Sequence, residues 1–209
     1  MAKSLLACAA ESLFTVVFPL RCRVCGDLSN IPLCNQCAGS LRRPVGTQLP
    51  PGLDGFWSAF AYEGAVRTVI AGVKYKNLRS AVPWLADSII RVLPSSDFEC
   101  VTHVPTTRRR RSERGFDHAA LLAAEVAKKI DLPYRDLLGR ADDHAQTGRG
   151  AFARRNSPPC FTCSRARDLP KHVLIIDDVM TTGATLSAAA AVLRSVGCVT
   201  IVAATPASA

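Results

Sequence analysis

The chain contains neither G-x-G-x-x-G nor G-x-x-x-x-G-K-[ST], so the glycine-rich phosphate loops of dinucleotide folds and Walker-type ATPases are both absent. No Ser-His-Asp order and no glycosidase-like acid pair offers a better account of its chemistry. Unbroken apolar sequence is scarce. The run Leu5–Leu20 after Lys3 is interrupted by Glu11, lacks a clean small-residue cleavage site and falls short of the roughly 18 residues a bilayer span needs. We therefore expect no transmembrane segment but an amphipathic helix packed on the body through Leu5, Leu6, Ala9, Leu13 and Val16 or Val17, and a cytoplasmic chain. Acidic residues are also few, 17 against 26 Lys and Arg, for a formal charge of +9. Of that excess, +7 falls in Val104–Lys171, with 15 basic and 8 acidic residues, a concentration that an anionic small molecule or a nucleic acid could use. A charged fraction of 21% beside 48% hydrophobic residues excludes a disordered chain, and 209 residues suit one α/β domain with a small attachment.

Cysteine is plentiful, and its spacing is informative. Among nine cysteines, Cys22-x-x-Cys25 and Cys34-x-x-Cys37 lie eight residues apart among turn residues that include Gly26. Two such pairs can fold back as knuckles and offer four thiolates to one tetrahedral Zn2+ without needing a hydrophobic core. With every ligand position filled by sulfur, that metal is structural. Arg21, Arg23, Arg42 and Arg43 would let the module touch nucleic acid, but they serve equally as its solvated face. The third pair, Cys160 and Cys163, has too few partners nearby, and we read it as loop thiols.

The organising stretch is Val173–Thr185, V-L-I-I-D-D-V-M-T-T-G-A-T. Four apolar residues without alternation, a polar break and the alanine-rich run Leu186–Val196 predict a buried parallel strand feeding a loop and a helix. Gly183 allows a tight turn, and the N–H groups from Thr181 to Thr185 can converge on phosphate oxygens at the positive end of the helix. Thr181, Thr182 and Thr185 add hydroxyl donors. Asp177 and Asp178 would repel a phosphate, so their natural partners are sugar hydroxyls or a divalent cation. A loop for phosphate beside acids for a polyol describes a sugar-phosphate site.

This stretch resembles the 5-phosphoribosyl-1-pyrophosphate (PRPP) motif of type I phosphoribosyltransferases. The resemblance implies that Asp177 and Asp178 take the ribose hydroxyls, that Thr181, Thr182, Gly183, Ala184 and Thr185 hold the 5-phosphate, and that Mg2+ accompanies PRPP. Catalysis, if PRPP is turned over, would proceed through a cation-like sugar stabilised by the two acids.

Upstream, the Pro/Gly-rich turn Leu49–Gly55 separates an N-terminal module, residues 1–48, from the main domain, residues 49–209. Gly55–Tyr62 predicts a strand and Gly64–Val73 a helix; if Lys74-Tyr75-Lys76 continues as an extended segment, its two lysines point the same way and suit one anion, with solubilising lysines as the default alternative. Asn77–Val92 predicts a helix with Pro83 in its first turns. Cys100–Val104 predicts a second buried strand that runs into Pro105, Thr106, Thr107 and the arginines 108–111 and 114. Two parallel strands ending at one sheet edge form a crevice. By the same resemblance, the loop after this strand takes pyrophosphate, with Thr106, Thr107 and Arg108 as binding candidates, Arg109 as a catalytic candidate and Arg114 as an anion contact. Ala119–Ile130 predicts a helix, with His118 before or in its first turn as a general base or, more readily, a capping or packing residue.

The order of paired C-x-x-C, Lys74-Tyr75-Lys76, V-P-x-x-R-R-R-R-x-x-R-G-F-D and V-L-I-I-D-D-V-M-T-T-G-A-T is similar to that of the ComF (ComFC) family of competence-associated proteins. Asp117-His118 replaces the Asn-Gln usual there, which keeps hydrogen-bond acceptors but adds negative charge beside the expected pyrophosphate site. Leu138–Asp168 is Gly-, Arg- and Pro-rich and is expected to form a mobile hood over the crevice, with family-like positions at Arg140, Gln146, Arg154, Asn156 and Phe161, and Arg155 as an adjacent alternative. Gln146, Arg154 and Asn156 are thus candidate substrate contacts, alongside Lys74 and Lys76. The expected fold is an α/β phosphoribosyltransferase-like parallel sheet flanked by helices. The resemblance implies a PRPP-binding protein that supports DNA uptake in natural transformation. Alternative roles are an active transferase in nucleotide or base metabolism and a non-catalytic zinc-stabilised nucleic-acid adaptor. Single-stranded DNA and a competence helicase are the implied partners, and a homo-oligomer is compatible with all three.

Overall fold

The computed structural model describes residues 21–29, 31–94, 97–140, 160–163 and 168–209. The expected helix in residues 1–20, most of the expected hood, and with it Gln146, Arg154, Arg155 and Asn156, lie outside the described residues. In chain order the elements are α1 (Asn35–Gly39), β1 (Gly55–Ala61), α2 (Gly64–Lys76), a 3-10 turn (Arg79–Ala81), α3 (Val82–Ile90), β2 (Cys100–His103), α4 (Arg108–Arg114), α5 (His118–Lys129), β3 (Leu138–Arg140), β4 (Phe161–Cys163), β5 (His172–Ile176), α6 (Ala184–Ser195) and β6 (Thr200–Ser208).

A four-stranded sheet ordered β1-β6-β5-β2, parallel throughout, forms the centre, and β3 pairs with β4 as a separate antiparallel hairpin. The apolar runs without alternation become strands because both faces of the sheet are covered. On β5, Leu174 and Ile176 join the core beneath α2, α3 and α5, while Val173 and Ile175 join the opposite core beneath α6 and the hairpin. All four are fully buried. Burial of this kind contributes about 1.5–3 kcal/mol per side chain, which fixes the strand register and the position of whatever follows Ile176.

Register decides where the site lies. Cys100–His103 runs beside Val173–Ile176, so the segments after His103 and after Ile176 leave the sheet at the same edge. The cysteine module joins this body directly: Cys22 and Leu33 belong to the same buried cluster as Val66 and Ile70, with Cys34, Cys37 and Leu41 packed against it.

Three expectations need correction. Lys74-Tyr75-Lys76 is not extended but forms the last turn of α2, ended by Asn77 with φ +52°. Successive helical residues point about 100° apart, so the two lysines diverge. The arginines do not occupy a loop: Thr107 caps a short helix, accepting a hydrogen bond from the Arg110 N–H at 3.3 Å, and Arg108–Arg114 follows. At the C-terminus Thr205–Ser208 extends β6 alongside β1, and the Ala209 N–H donates to the Met180 carbonyl at 2.9 Å. The expected helix 77–92 is also broken, into the 3-10 turn and α3, with Pro83 in the first turn of α3 where its missing N–H costs nothing.

Candidate functional site

At the carboxyl end of β5 the chain turns out of the sheet with Asp177 and Asp178. The Asp177 carboxylate folds back and accepts the Asp178 N–H at 2.8 Å. Asp178 has a side chain only 15% exposed and is held from two sides. Lys74 from the end of α2 places Nζ 2.8 Å from Oδ1, and His118 from the start of α5 contacts Oδ2 through Nε2. The two acids are pushed in opposite directions. Burial and the neighbouring Asp178 charge raise Asp177 well above the usual carboxylate range, so Asp177 is the acid that more readily keeps a proton. Burial also raises Asp178, but donation from His118 and the Lys74 charge outweigh it and leave Asp178 below that range.

The bend after the acids is open on its outer side. Thr181, Thr182 and Ala184 are exposed and Thr185 is half-buried, whereas Met180 is buried and linked to β6 through its bridge to Ser208. Gly183 caps α6 with φ +75°, a conformation that favours glycine. A Cβ built there would lie 2.9 Å from Pro50 Cγ and 3.0 Å from Pro50 Cβ, so the linker from the cysteine module leans directly on the bend. A cavity of about 290 Å³ adjoins it, lined by Thr47, Leu49, Pro50, Thr181 and Thr182 among others. With the helix N-terminus behind, the exposed Thr181 and Thr182 hydroxyls suit an anion, and the Ala184 N–H donates to the Thr182 hydroxyl at 3.4 Å.

The loop after β2 meets the same edge. Asp117 lines the chamber beside Thr106 and Arg108, and its carboxylate is engaged by the protein's own donors. It caps α5, accepting from the Ala119 and Ala120 N–H groups, and reaches across to accept the Thr106 N–H at 2.9 Å. Burial raises this carboxyl, but the contact with His103 and the Thr106 N–H bring it below the usual range. His103 in turn lies 2.9 Å from the Tyr134 hydroxyl, so a buried polar cluster fixes the Thr106 loop from beneath.

α4 then divides the arginines. Arg108 and Arg111, one turn apart, line a chamber of about 610 Å³ with Thr106, Asp136 and Arg140. Arg109, Arg110 and Arg114 line another of about 450 Å³ with Lys74, Tyr75 and Lys76. Arg109 is 82% exposed and pairs with Glu113 at 3.3 Å. Arg114 lies over the Tyr75 ring at 4.8 Å. The candidate arginines therefore do not converge on one point, and Lys74 is engaged by Asp178 while Lys76 is exposed. His118 is buried against the acid, as the packing alternative expected, but with a polar partner that sequence reasoning missed. The Pro50 contact left no sequence signal at all.

Away from this edge, the Sγ atoms of Cys22, Cys25, Cys34 and Cys37 lie within 4.8 Å of one another. A tetrahedral zinc with Zn–S of about 2.3 Å places its sulfurs about 3.8 Å apart, so the donor set fits. Burial raises the Cys22 thiol, but N–H donation from Cys25, Cys34 and Val24 outweighs it and brings the thiol down to about 6, whereas Cys25 and Cys37 are pushed up, so among these three Cys22 is the sulfur that most readily becomes a thiolate. Among the described residues this is the one cluster with metal-ligand geometry. Cys160 is exposed, and Cys163 lies on β4 with its thiol raised by burial. No helix among the described residues is long and apolar enough to cross a membrane.

Comparison with known proteins places these features in context. Residues 117–209 match the phosphoribosyl transferase domain family, a span from the Asp117 cap through the acids, the bend and β6. Competence protein F of Haemophilus influenzae is 31% identical over 104 residues, which cover 47% of this chain and 45% of that protein. Competence protein ComFC of Bacillus subtilis is 26% identical over 144 residues, 67% of this chain and 58% of its own length. The chain thus spans about half the length of the curated relatives it matches. Among solved structures, the allosteric regulatory enzyme of purine biosynthesis aligns with a TM-score of 0.41 at 17% identity over 60% of this chain and 24% of that one.

Proposed function

We propose that this chain, which belongs to the ComF/ComFC family and carries a phosphoribosyl transferase domain, binds PRPP or a related ribose phosphate at the carboxyl end of β5. The observation that carries the reading is the sequence of environments after Ile176: a part-buried acid pair, then an exposed threonine-glycine bend at a helix N-terminus. A carboxylate has about four acceptor sites, so Asp178 can take sugar hydroxyls on the lone pairs that Lys74 and His118 leave free. The bend then receives the 5-phosphate, while Thr106 on the neighbouring loop and Arg108 at the start of α4, which line one chamber, would meet the pyrophosphate side. Hard oxygen donors at the acid pair suit Mg2+, which when bound offsets part of the pyrophosphate charge. Asp178, and Asp177 when ionised, would also favour positive character at the sugar during transfer, an electrostatic contribution of the kind that often dominates catalysis. The family relationship supports a role in DNA uptake during natural transformation.

Calorimetry with zinc-loaded full chain, PRPP and Mg2+ tests the ligand. Binding is expected, with Asp178→Asn weakening it at least tenfold because the substituted amide loses both the charge and half the acceptors. Absence of Mg2+-dependent PRPP binding would overturn the reading. Release of pyrophosphate from PRPP in the presence of bases, amines or ammonia separates a transferase from a binding protein.

A second reading, contact with single-stranded DNA, is favoured by the chamber that sets exposed Tyr75 among Lys76, Arg109 and Arg110. Loss of salt-sensitive binding to an oligonucleotide in Lys76→Gln/Arg110→Gln supports it, and no binding by the unmodified protein excludes it.

A further inference from the structure

Resting on the ribose-phosphate reading, we infer that Arg114 and His118 are positioning residues that set the orientation of Asp178 for the sugar hydroxyls. The geometry fixes the direction of each hydrogen bond. A guanidinium can only donate, and Arg114 Nη1 lies 3.1 Å from His118 Nδ1. His118 Nδ1 is therefore the acceptor, the ring proton sits on Nε2, and Nε2–H donates to Asp178 Oδ2. Lys74 holds Oδ1. Both oxygens of the acid are thus pinned from elements other than its own, and the plane of the carboxylate is set before any ligand arrives.

The anchors have defined supports. His118 is the first residue of α5, whose N-terminus Asp117 caps, and its ring is buried. Arg114 is the last residue of α4, ended by Gly115 at φ +77°, and is braced by the Tyr75 ring. Tyr75 follows Lys74 on α2, so the aromatic brace and the cation on Oδ1 come from adjacent residues of one helix. The charged groups around Asp178 are Lys74 from α2, His118 from α5 with Arg114 behind it, Asp117 beside the start of α5, and Asp177 on its own segment.

Glutamine at position 118 would preserve this logic. Its amide carries an acceptor oxygen and a donor nitrogen on one carbon, reproducing an imidazole that accepts at Nδ1 and donates at Nε2. Leucine would fill much of the same space and do neither.

The test uses the zinc-loaded full chain with three variants, His118→Gln, His118→Leu and His118→Ala. PRPP affinity is read by calorimetry with Mg2+, folding by thermal unfolding, and the Asp178 carboxylate by 13C chemical-shift titration. We expect His118→Leu and His118→Ala to bind PRPP about tenfold more weakly, as for loss of one hydrogen bond to a charged group. His118→Gln should stay within about threefold of the parent. The Asp178 titration midpoint should rise in the Leu and Ala variants and return toward the parent in Gln. A purely packing histidine predicts the opposite order, with Leu better than Gln. That order, or an unmoved Asp178 midpoint in His118→Leu, would overturn the inference. If the parent binds no PRPP but the Asp178 midpoint moves as expected, the positioning role stands and the ribose-phosphate reading falls. His118→Leu keeps the test decisive if His118→Ala does not fold.

Discussion

Replacing Gly183 by alanine probes the bend with a single methyl group. At φ +75° an L-residue pays about 1–2 kcal/mol for the left-handed conformation. The added Cβ would also lie 2.9 Å from Pro50 Cγ and 3.0 Å from Pro50 Cβ, closer than real Cβ contacts come. Proline cannot rotate its ring away as a flexible side chain could, so the backbone of residues 47–51 or of the bend has to give, at about 1–3 kcal/mol for overpacking. The two contributions together predict a loss of about 2–5 kcal/mol, or about 5–15 °C in unfolding temperature for a chain of this size. Ligand affinity should fall further than stability, since the displaced groups are those proposed to hold the phosphate. Urea unfolding and PRPP calorimetry on Gly183→Ala, Pro50→Gly and the double variant separate the components. Removing the proline ring should recover the steric part in the double variant and leave the conformational part. Full stability and unchanged affinity in Gly183→Ala would refute the reasoning. So would a double variant no better than the sum of the two singles, because that shows no coupling between Pro50 and position 183.

Two further predictions follow from other parts of the molecule. Cys34→Ser should abolish near-stoichiometric zinc, measured by elemental analysis, and lower the unfolding temperature of the whole chain because Cys22, Cys34 and Cys37 share the core of α2 and α3. Cys160→Ser should leave the metal content unchanged. Asp117→Asn should cost about 1–3 kcal/mol at neutral pH by depriving the Thr106 N–H of its charged acceptor. Because the Asp117 carboxyl is depressed in the folded state, its contribution is complete above the unfolded value of about 3.9 and is lost as pH falls through the lower folded value. The stability difference between parent and Asp117→Asn, followed by urea unfolding down the acid limb, should therefore shrink as pH drops through that window.

Much of this fold is legible in the sequence because burial on both sides of a sheet leaves a strong trace. Val173–Ile176 and Cys100–Val104 announce themselves as apolar runs with polar ends, and the paired C-x-x-C spacing gives four sulfurs one meeting point. What sequence could not show was direction. Lys74 and Lys76 look like a matched pair in extended chain, yet α2 continues one turn further and sends them apart, one under the acids and one to solvent. The arginine run hides a similar choice, since a capped helix distributes Arg108 and Arg109 to different chambers. The end of β6 leaves little trace in the sequence because its residues are small, and the neighbouring β1 gives them a partner as far as Ser208. The contacts of His118 with Asp178 and of Pro50 with the bend join residues far apart in the chain, and no local pattern encodes them.

The outer margin of β2 is already taken. Val101 receives the Arg135 N–H on its carbonyl and donates its own N–H to Pro133, and the Leu137 N–H reaches the Thr102 hydroxyl. Among the described residues, a lateral seam of this kind leaves that flank of the four-stranded sheet no free ladder, so growth of this sheet by a foreign strand falls to the β1 flank.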